Sequence, residues 1–262
     1  MRRSIRYALL FLCVAVVGVA ALVVFGRIER FLIADARFTL APPPEYGEES
    51  PGLRIEGLQH TARGRVMGVF VQDFGRSVYL IPLSQRRRAL LAIDWVKEAS
   101  IARVWPNRLR VRVAERRPVA FVQLPTAAPA SPQFALIDED GVILQPQAPA
   151  HFALPVLTGV RRDDGEAARR DRAHRLMRLV EDLGPLAERV SEVDVTDPEN
   201  LKVTVPLEDR AMVLILGNRH FQFRLQGFLD HHADIRKRLP EATTFDLRLE
   251  DRITAVGAAP NA

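Results

Sequence analysis

From Ala8 to Phe25 the chain shows no alternation of hydrophobic and polar positions: eighteen residues, ALLFLCVAVVGVAALVVF, carry no charge. As a helix rising about 1.5 Å per residue, this run is roughly 27 Å long, close to a hydrocarbon core of about 30 Å. It predicts a membrane helix over residues 8–26, after a short tail (1–7) and before a linker (27–51). A cleaved leader has a shorter apolar region ending in a small-x-small site. Here Ala20-Ala21 continues into Leu-Val-Val-Phe, so a retained anchor is expected. Arg2, Arg3 and Arg6 on one side balance Arg27, Arg30 and Arg37 on the other, which leaves orientation tied by charge. The short basic leader favours an N-terminus inside the cell.

Beyond the span the pattern becomes periodic. Pro42-Pro43-Pro44, Gly47 and Pro51-Gly52 mark the linker as a stiff spacer. A strand is predicted over 53–58 and a weak helix over 61–70. A stronger helix opens at Pro82-Leu83-Ser84, with Ser84 as N-cap. Residues 96–104 alternate, Trp105-Pro106-Asn107 turns the chain, and Leu109, Val111 and Val113 alternate strictly with polar residues. The order is strand, helix, helix, strand, strand, over residues 52–117.

A second unit is predicted over 118–256. It has strands at 119–124, 134–138 and 142–144, with a Pro/Ala-rich loop from 125 to 132. Asp140-Gly141 lies between apolar runs and predicts a hairpin whose two turn residues tolerate positive φ. Residues 172–183 form an amphipathic helix with Leu176, Leu179, Val180 and Leu183 on one face, ended by Gly184-Pro185. Strands begin at Val190 and Leu201 and again at Met212. Phe221, Leu225, Phe228, Leu229, His232 and Ile235 share a second helical face. Strands at 244–249 and 253–256 close the unit, and 257–262 is a frayed tail. The fold class is α+β.

Composition narrows the function classes. The chain has 262 residues, 48% hydrophobic and 26% charged, as a folded protein does. Its 37 basic and 32 acidic residues leave a net charge of +5 without a basic stripe, which argues against nucleic acid. The single cysteine, Cys13, lies within the apolar run, so the remainder has no disulfide and no thiol chemistry. His231-His232 point about 100° apart on a helix, and His174 and His220 give no ligand spacing, so no metal is expected. Asp138-Glu139-Asp140-Gly141 lacks the continuing ligands of a calcium loop. Arg86-Arg87-Arg88 is read as a solvated helix face. No phosphate-binding, dinucleotide, zinc-hydrolase or nucleophile-elbow motif occurs. Neither enzyme chemistry nor a cofactor nor a small-molecule substrate is expected.

A terminal strand is often an edge, whose unpaired backbone groups recruit a partner strand unless something covers them. Pattern alone leaves both outcomes open for residues 245–256.

The run Trp95-Val96 through Arg103-Val-Trp105-Pro106, Leu109 and Glu115-Arg116-Arg-Pro118-Val119-Ala120 resembles the FtsQ/DivIB family of bacterial cell-division proteins. Leu136-Ile137-Asp138 to Gly141, Leu154-Pro155 to Gly159 and Asp246-Leu247-Arg248 resemble further steps of the family pattern. The resemblance implies a cytoplasmic tail, one inner-membrane span, a POTRA domain that helps recruitment to the septum, and an extracytoplasmic β domain. It implies a non-enzymatic division scaffold that binds the single-span proteins FtsB and FtsL. The alternative is a POTRA-containing transport or secretion component. The resemblance also implies strand addition of FtsB at positions matching Leu247, Leu249, Arg252, Ile253, Thr254 and Ala255. Leu249 and Asp251-Arg252 stand where the family often has Tyr and Asn-Gly.

Overall fold

A computed structural model describes residues 2–43, 50–124, 133–146, 151–249 and 251–257. The predicted loop at 125–132 and most of the tail lie outside the described residues, as does the middle of the linker. The chain divides into two compact units, Met1–Glu115 and Arg116–Ala262.

The first unit opens with helix α1, Arg2–Ala34, of 33 residues. Its stretch Phe11–Ala34 is apolar and long enough to cross a membrane, and none of it is buried. The helix outruns the predicted span because residues 27–34 contain neither proline nor glycine to stop it. It ends at Asp35, whose carboxylate accepts the Arg37 amide at 2.8 Å and caps a 3₁₀ turn, Ala36–Phe38. The expected spacer therefore begins later than residue 27. Thr39 bridges Ser77, and Leu40 is fully buried in the core of the unit. One apolar residue beside a proline run carries no period, so the pattern gave no sign of this anchor.

The rest of the unit follows the predicted order: β1 (Leu53–Glu56), α2 (Arg63–Gly68), α3 (Leu83–Leu91), β2 (Val96–Val104) and β3 (Arg108–Glu115). The sheet order is β1-β3-β2. β1 runs parallel to β3, and the chain between them carries both helices and β2, long enough for the crossover that a parallel pair needs. A register shift between Val96 and Glu98 puts Val96 and Ala99, three positions apart, both in the core. Ser84 does not cap α3; Pro82 occupies that position and no side chain caps the helix. Proline lacks an amide and suits an opening where donors are unpaired anyway.

Arg86-Arg87-Arg88 is not a uniformly solvated face. Arg86 turns inward and donates from Nε and Nη2 to the fully buried Asp73 at 2.6 and 2.9 Å. Arg87 Nε donates to the Ala99 carbonyl at 2.8 Å. A buried carboxylate demands such a partner, and the sequence separates the pair by thirteen positions.

The second unit contains β4 (Pro118–Leu124), β5 (Gln133–Asp138), β6 (Ile143–Leu144), β7 (Val156–Thr158), α4 (Glu166–Leu183), β8 (Glu192–Asp194), β9 (Leu201–Leu207), β10 (Arg210–Gly217), α5 (Phe221–Arg238), β11 (Thr244–Asp246) and β12 (Thr254–Ala255). One sheet runs β12-β11-β10-β9-β8-β7-β4-β5-β6. Burial alternates along β9 and β10, and their inward residues share a core with Leu176, Leu179, Leu225 and Phe228 of α4 and α5. α4 starts six residues before the predicted helix. Its first turns carry no apolar period and are held by Arg170–Glu166 and Arg175–Asp171 pairs one turn apart. In the β5–β6 hairpin only Gly141 takes a positive φ, at 80°. Its amide donates to Asp138 O at 3.1 Å, so Asp140 needs no left-handed backbone, contrary to expectation.

The residues that carried the family resemblance have local structural tasks. Arg103 donates to the carbonyls of Val78, Tyr79 and Ile81 and fastens that loop to β2. Glu115 accepts the His60 and Thr61 amides at 2.8 and 2.7 Å. Arg116 Nη1 donates to Asp138 and Asp140 at 2.6 and 3.0 Å. Neighbouring residues thus secure a loop in one unit and a hairpin in the other.

Candidate functional site

The second unit ends its sheet on β12. β10 pairs with β11 in parallel, Leu214 opposite Phe245, and β11 pairs with β12 antiparallel, Phe245 opposite Ala255 and Asp246 opposite Thr254. The Val256 amide adds a bond to Thr244 O at 2.9 Å. The outer side of β12 has no strand beside it among the described residues.

Two buried side chains fix this edge. Phe245 packs on Phe228 of α5 with ring centroids 5.2 Å apart, and Leu247 is 3% exposed. Between and beyond them Asp246 and Arg248 form a clamp. Arg248 donates from Nε and Nη2 to the Asp246 carboxylate at 2.9 and 2.6 Å, and from its amide at 3.0 Å. Arg248 Nη1 reaches Asn200 Oδ1 at 2.6 Å, and Arg224 Nη2 donates to Arg248 O at 3.0 Å. The Arg248 hydrogen bonds hold Asp246 below its ordinary pKa, outweighing burial, which acts the other way. The Asp-Leu-Arg step is thus a surface clamp around one core leucine. Gly217 at the end of β10 has φ 76°, and a Cβ there would lie 2.9 Å from Arg224 Nη1.

Beside the edge lies an open groove of about 560 Å³. Phe223, Gly227 and His231 of α5 line one wall, and Leu249 and Ile253 lie opposite. Phe223, Gly227 and His231 recur at a spacing of four, which puts them on one helical stripe. Phe223 is 68% exposed, and a Cβ on Gly227 would meet nothing within 4 Å. The helical pattern omitted all three, because Phe223 stands off the apolar face and Gly227 carries no hydropathy signal. An unburied phenylalanine on an amphipathic helix was the available cue.

The residues singled out from sequence fall into three environments. Leu247 is in the core, 3% exposed, and shows only that small part of its surface to the groove. Leu249 and Ile253 line the groove, 53% and 37% exposed. Arg252 lies on its rim beside Asp251, 3.5 Å away. Thr254 and Ala255 are β12 itself, with Thr254 outward and Ala255 packed against the core. Among the described residues no three His, Cys, Asp or Glu side chains are grouped to hold a metal ion.

Comparison with known proteins matches the same two units. Residues 52–116 match the FtsQ-type POTRA domain, and residues 129–248 match the C-terminal domain of the cell division protein FtsQ/DivIB. The cell division protein FtsQ of Koribacter versatilis is 30% identical over 250 residues, covering 92% of this chain and 68% of that relative. The FtsQ of Nitrosospira multiformis is 26% identical over 201 residues, 76% of this chain and 77% of its own. That of Bordetella pertussis is 31% identical over 107 residues, 41% and 37% of the two chains. With a POTRA unit of βααββ order, a C-terminal β unit and an apolar helix ahead of both, the chain belongs to the FtsQ family of cell-division proteins.

Proposed function

We propose that this protein is a non-enzymatic scaffold of the division machinery that captures a single-span partner of the FtsB or FtsL type by strand addition at β12. In this reading residues 1–7 are cytoplasmic, residues 8–26 cross the inner membrane, and the units at 52–117 and 118–256 lie outside the cytoplasm at the septum. There the scaffold couples wall assembly to division. The observation that carries the proposal is the open side of β12 with an apolar groove beside it. Backbone donors and acceptors supply the affinity of an added strand, and side-chain pockets supply its specificity. Leu249 and Ile253 would then meet the partner's side chains, while Arg252, Thr254 and Ala255 keep the edge in register and Leu247 anchors it from beneath. The matched C-terminal domain ends at Arg248, so beyond Leu247 these positions rest on the resemblance and are supported by the open side of β12 and the groove beside it.

Ile253→Pro tests it. Proline removes a backbone donor beside β12 and disturbs the strand. We expect the variant to insert and fold, yet to lose capture of FtsB in a pull-down with the full chain. Unchanged capture would reject the edge. Deleting all of 245–262 would be a poorer test, since Phe245 and Leu247 belong to the core; truncation after Leu249 preserves both. A fluorescent fusion is expected at midcell in dividing cells, and uniform envelope staining throughout division would reject the scaffold reading.

A further inference from the structure

Three aromatic rings gather where α1 meets the first unit. Phe31 stands in the last turn of α1, Phe38 in the 3₁₀ turn that follows, and Trp105 in the turn between β2 and β3. The rings of Phe31 and Phe38 are 5.5 Å apart at 74°, and those of Phe38 and Trp105 5.8 Å apart at 79°. Arg37 lies over the Phe31 ring at 5.5 Å and also holds the Asp35 carboxylate at 2.8 Å. Despite these contacts Phe31 and Trp105 are 49% and 51% exposed. Ile28 and Ile33 on the same helical segment are 52% and 40% exposed. Ile28 stands one turn before Phe31 on the same side of α1, and the linked rings of Phe31, Phe38 and Trp105 continue that exposed apolar surface, which marks a contact face.

Its height identifies the contact. Phe31 follows Phe25, the end of the uncharged run, by six positions, about 9 Å along a helix. The uncharged run of roughly 27 Å, centred in a hydrocarbon core of about 30 Å, leaves about 1.5 Å of core beyond Phe25, so Phe31 stands about 7.5 Å past the core, within the polar layer of about 5–8 Å on that side. Tryptophan favours that level, where one edge of the indole is apolar and the other wet. Nothing slack separates Trp105 from α1. Ser77 Oγ donates to Leu32 O at 2.7 Å, the Leu40 amide to Arg76 O at 2.9 Å, and the Val78 amide to Phe38 O at 2.9 Å. The buried Leu40 completes the attachment.

We infer that Phe31, Phe38 and Trp105 form a lipid-contacting foot that seats the POTRA domain on the headgroup layer of the membrane α1 crosses. Arg37, 72% exposed at its side chain, faces lipid phosphates from beside the rings. The inference rests on α1 being a membrane span.

The test uses the full-length protein in vesicles of phosphatidylethanolamine and phosphatidylglycerol. The vesicles carry nitroxide-labelled lipid, with the label at the headgroup in one set and deep in the acyl chain in another. The other tryptophan, Trp95, is fully buried, and Trp105→Phe isolates the Trp105 signal by difference. We expect loss of Trp105 emission with the headgroup label, less loss with the deep label, and recovery when a Gly-Ser spacer is inserted between Ala34 and Asp35. Emission untouched by either label but quenched by aqueous iodide, in protein that floats with the vesicles, would overturn the foot alone. Release from the vesicles by alkaline carbonate would overturn the membrane span as well. Should Trp105→Phe fail to fold, the wild type alone decides between these outcomes, because Trp95 is shielded.

Discussion

Asp73 and Arg86 show how much one side chain can decide inside a small domain. Asp73 has no exposure, and Arg86 meets it with two parallel hydrogen bonds. Asp73→Ala strands the guanidinium without a counter-charge and should cost about 3 kcal/mol, read as a lower urea midpoint for the POTRA unit. A substitution of the exposed Arg88 should leave that midpoint nearly unchanged. Glu115 gives a pH-dependent counterpart. Burial raises its pKa, but hydrogen bonds from the His60 and Thr61 amides outweigh this, so the net shift is downward from 4.5. A depressed carboxylate adds stability above its unfolded pKa and loses it as pH falls through the folded value. The POTRA midpoint should therefore drop on acidification below 4.5, and Glu115→Gln should flatten that part of the profile.

At the scale of elements, α5 separates two tasks on two faces. Phe221, Leu225 and Phe228 are buried beneath it, while Phe223, Gly227 and His231 line the groove. Gly227→Leu should keep the fold, since its side chain starts in open space and leucine favours a helix by up to about 1 kcal/mol over glycine. It should nevertheless abolish FtsB capture by filling the groove. Undiminished capture by the folded variant would show that the partner does not enter there. Which elements were legible in the sequence follows from the same division. Strict alternation marked β3, and the period of Leu176, Leu179 and Leu183 marked the buried half of α4. The polar first turns of α4 carried no such signal. The DLR step was readable as a motif, but its role as a clamp needed Asn200 and Arg224, far away in the chain. The groove was invisible because it depends on a missing side chain at Gly227 and on two elements brought together by a parallel strand pairing.

For the whole molecule, two ends of the chain take different work. The N-terminal part joins a long apolar helix to the POTRA unit through Leu40 and Ser77, with backbone bonds on both sides of the junction. Among the described residues the C-terminal part completes a nine-stranded sheet that ends on Thr254–Ala255. An edge only two residues long also restrains association with itself. Two copies meeting edge to edge would exchange few hydrogen bonds, too few to offset the ordering of both chains. A longer incoming strand that also fills the groove gains contacts beyond the ladder. Under the proposed strand addition, the brevity of β12 would act as a selectivity filter, disfavouring pairing of this edge with a second copy of itself while a longer strand from a different chain gains enough contacts to stay.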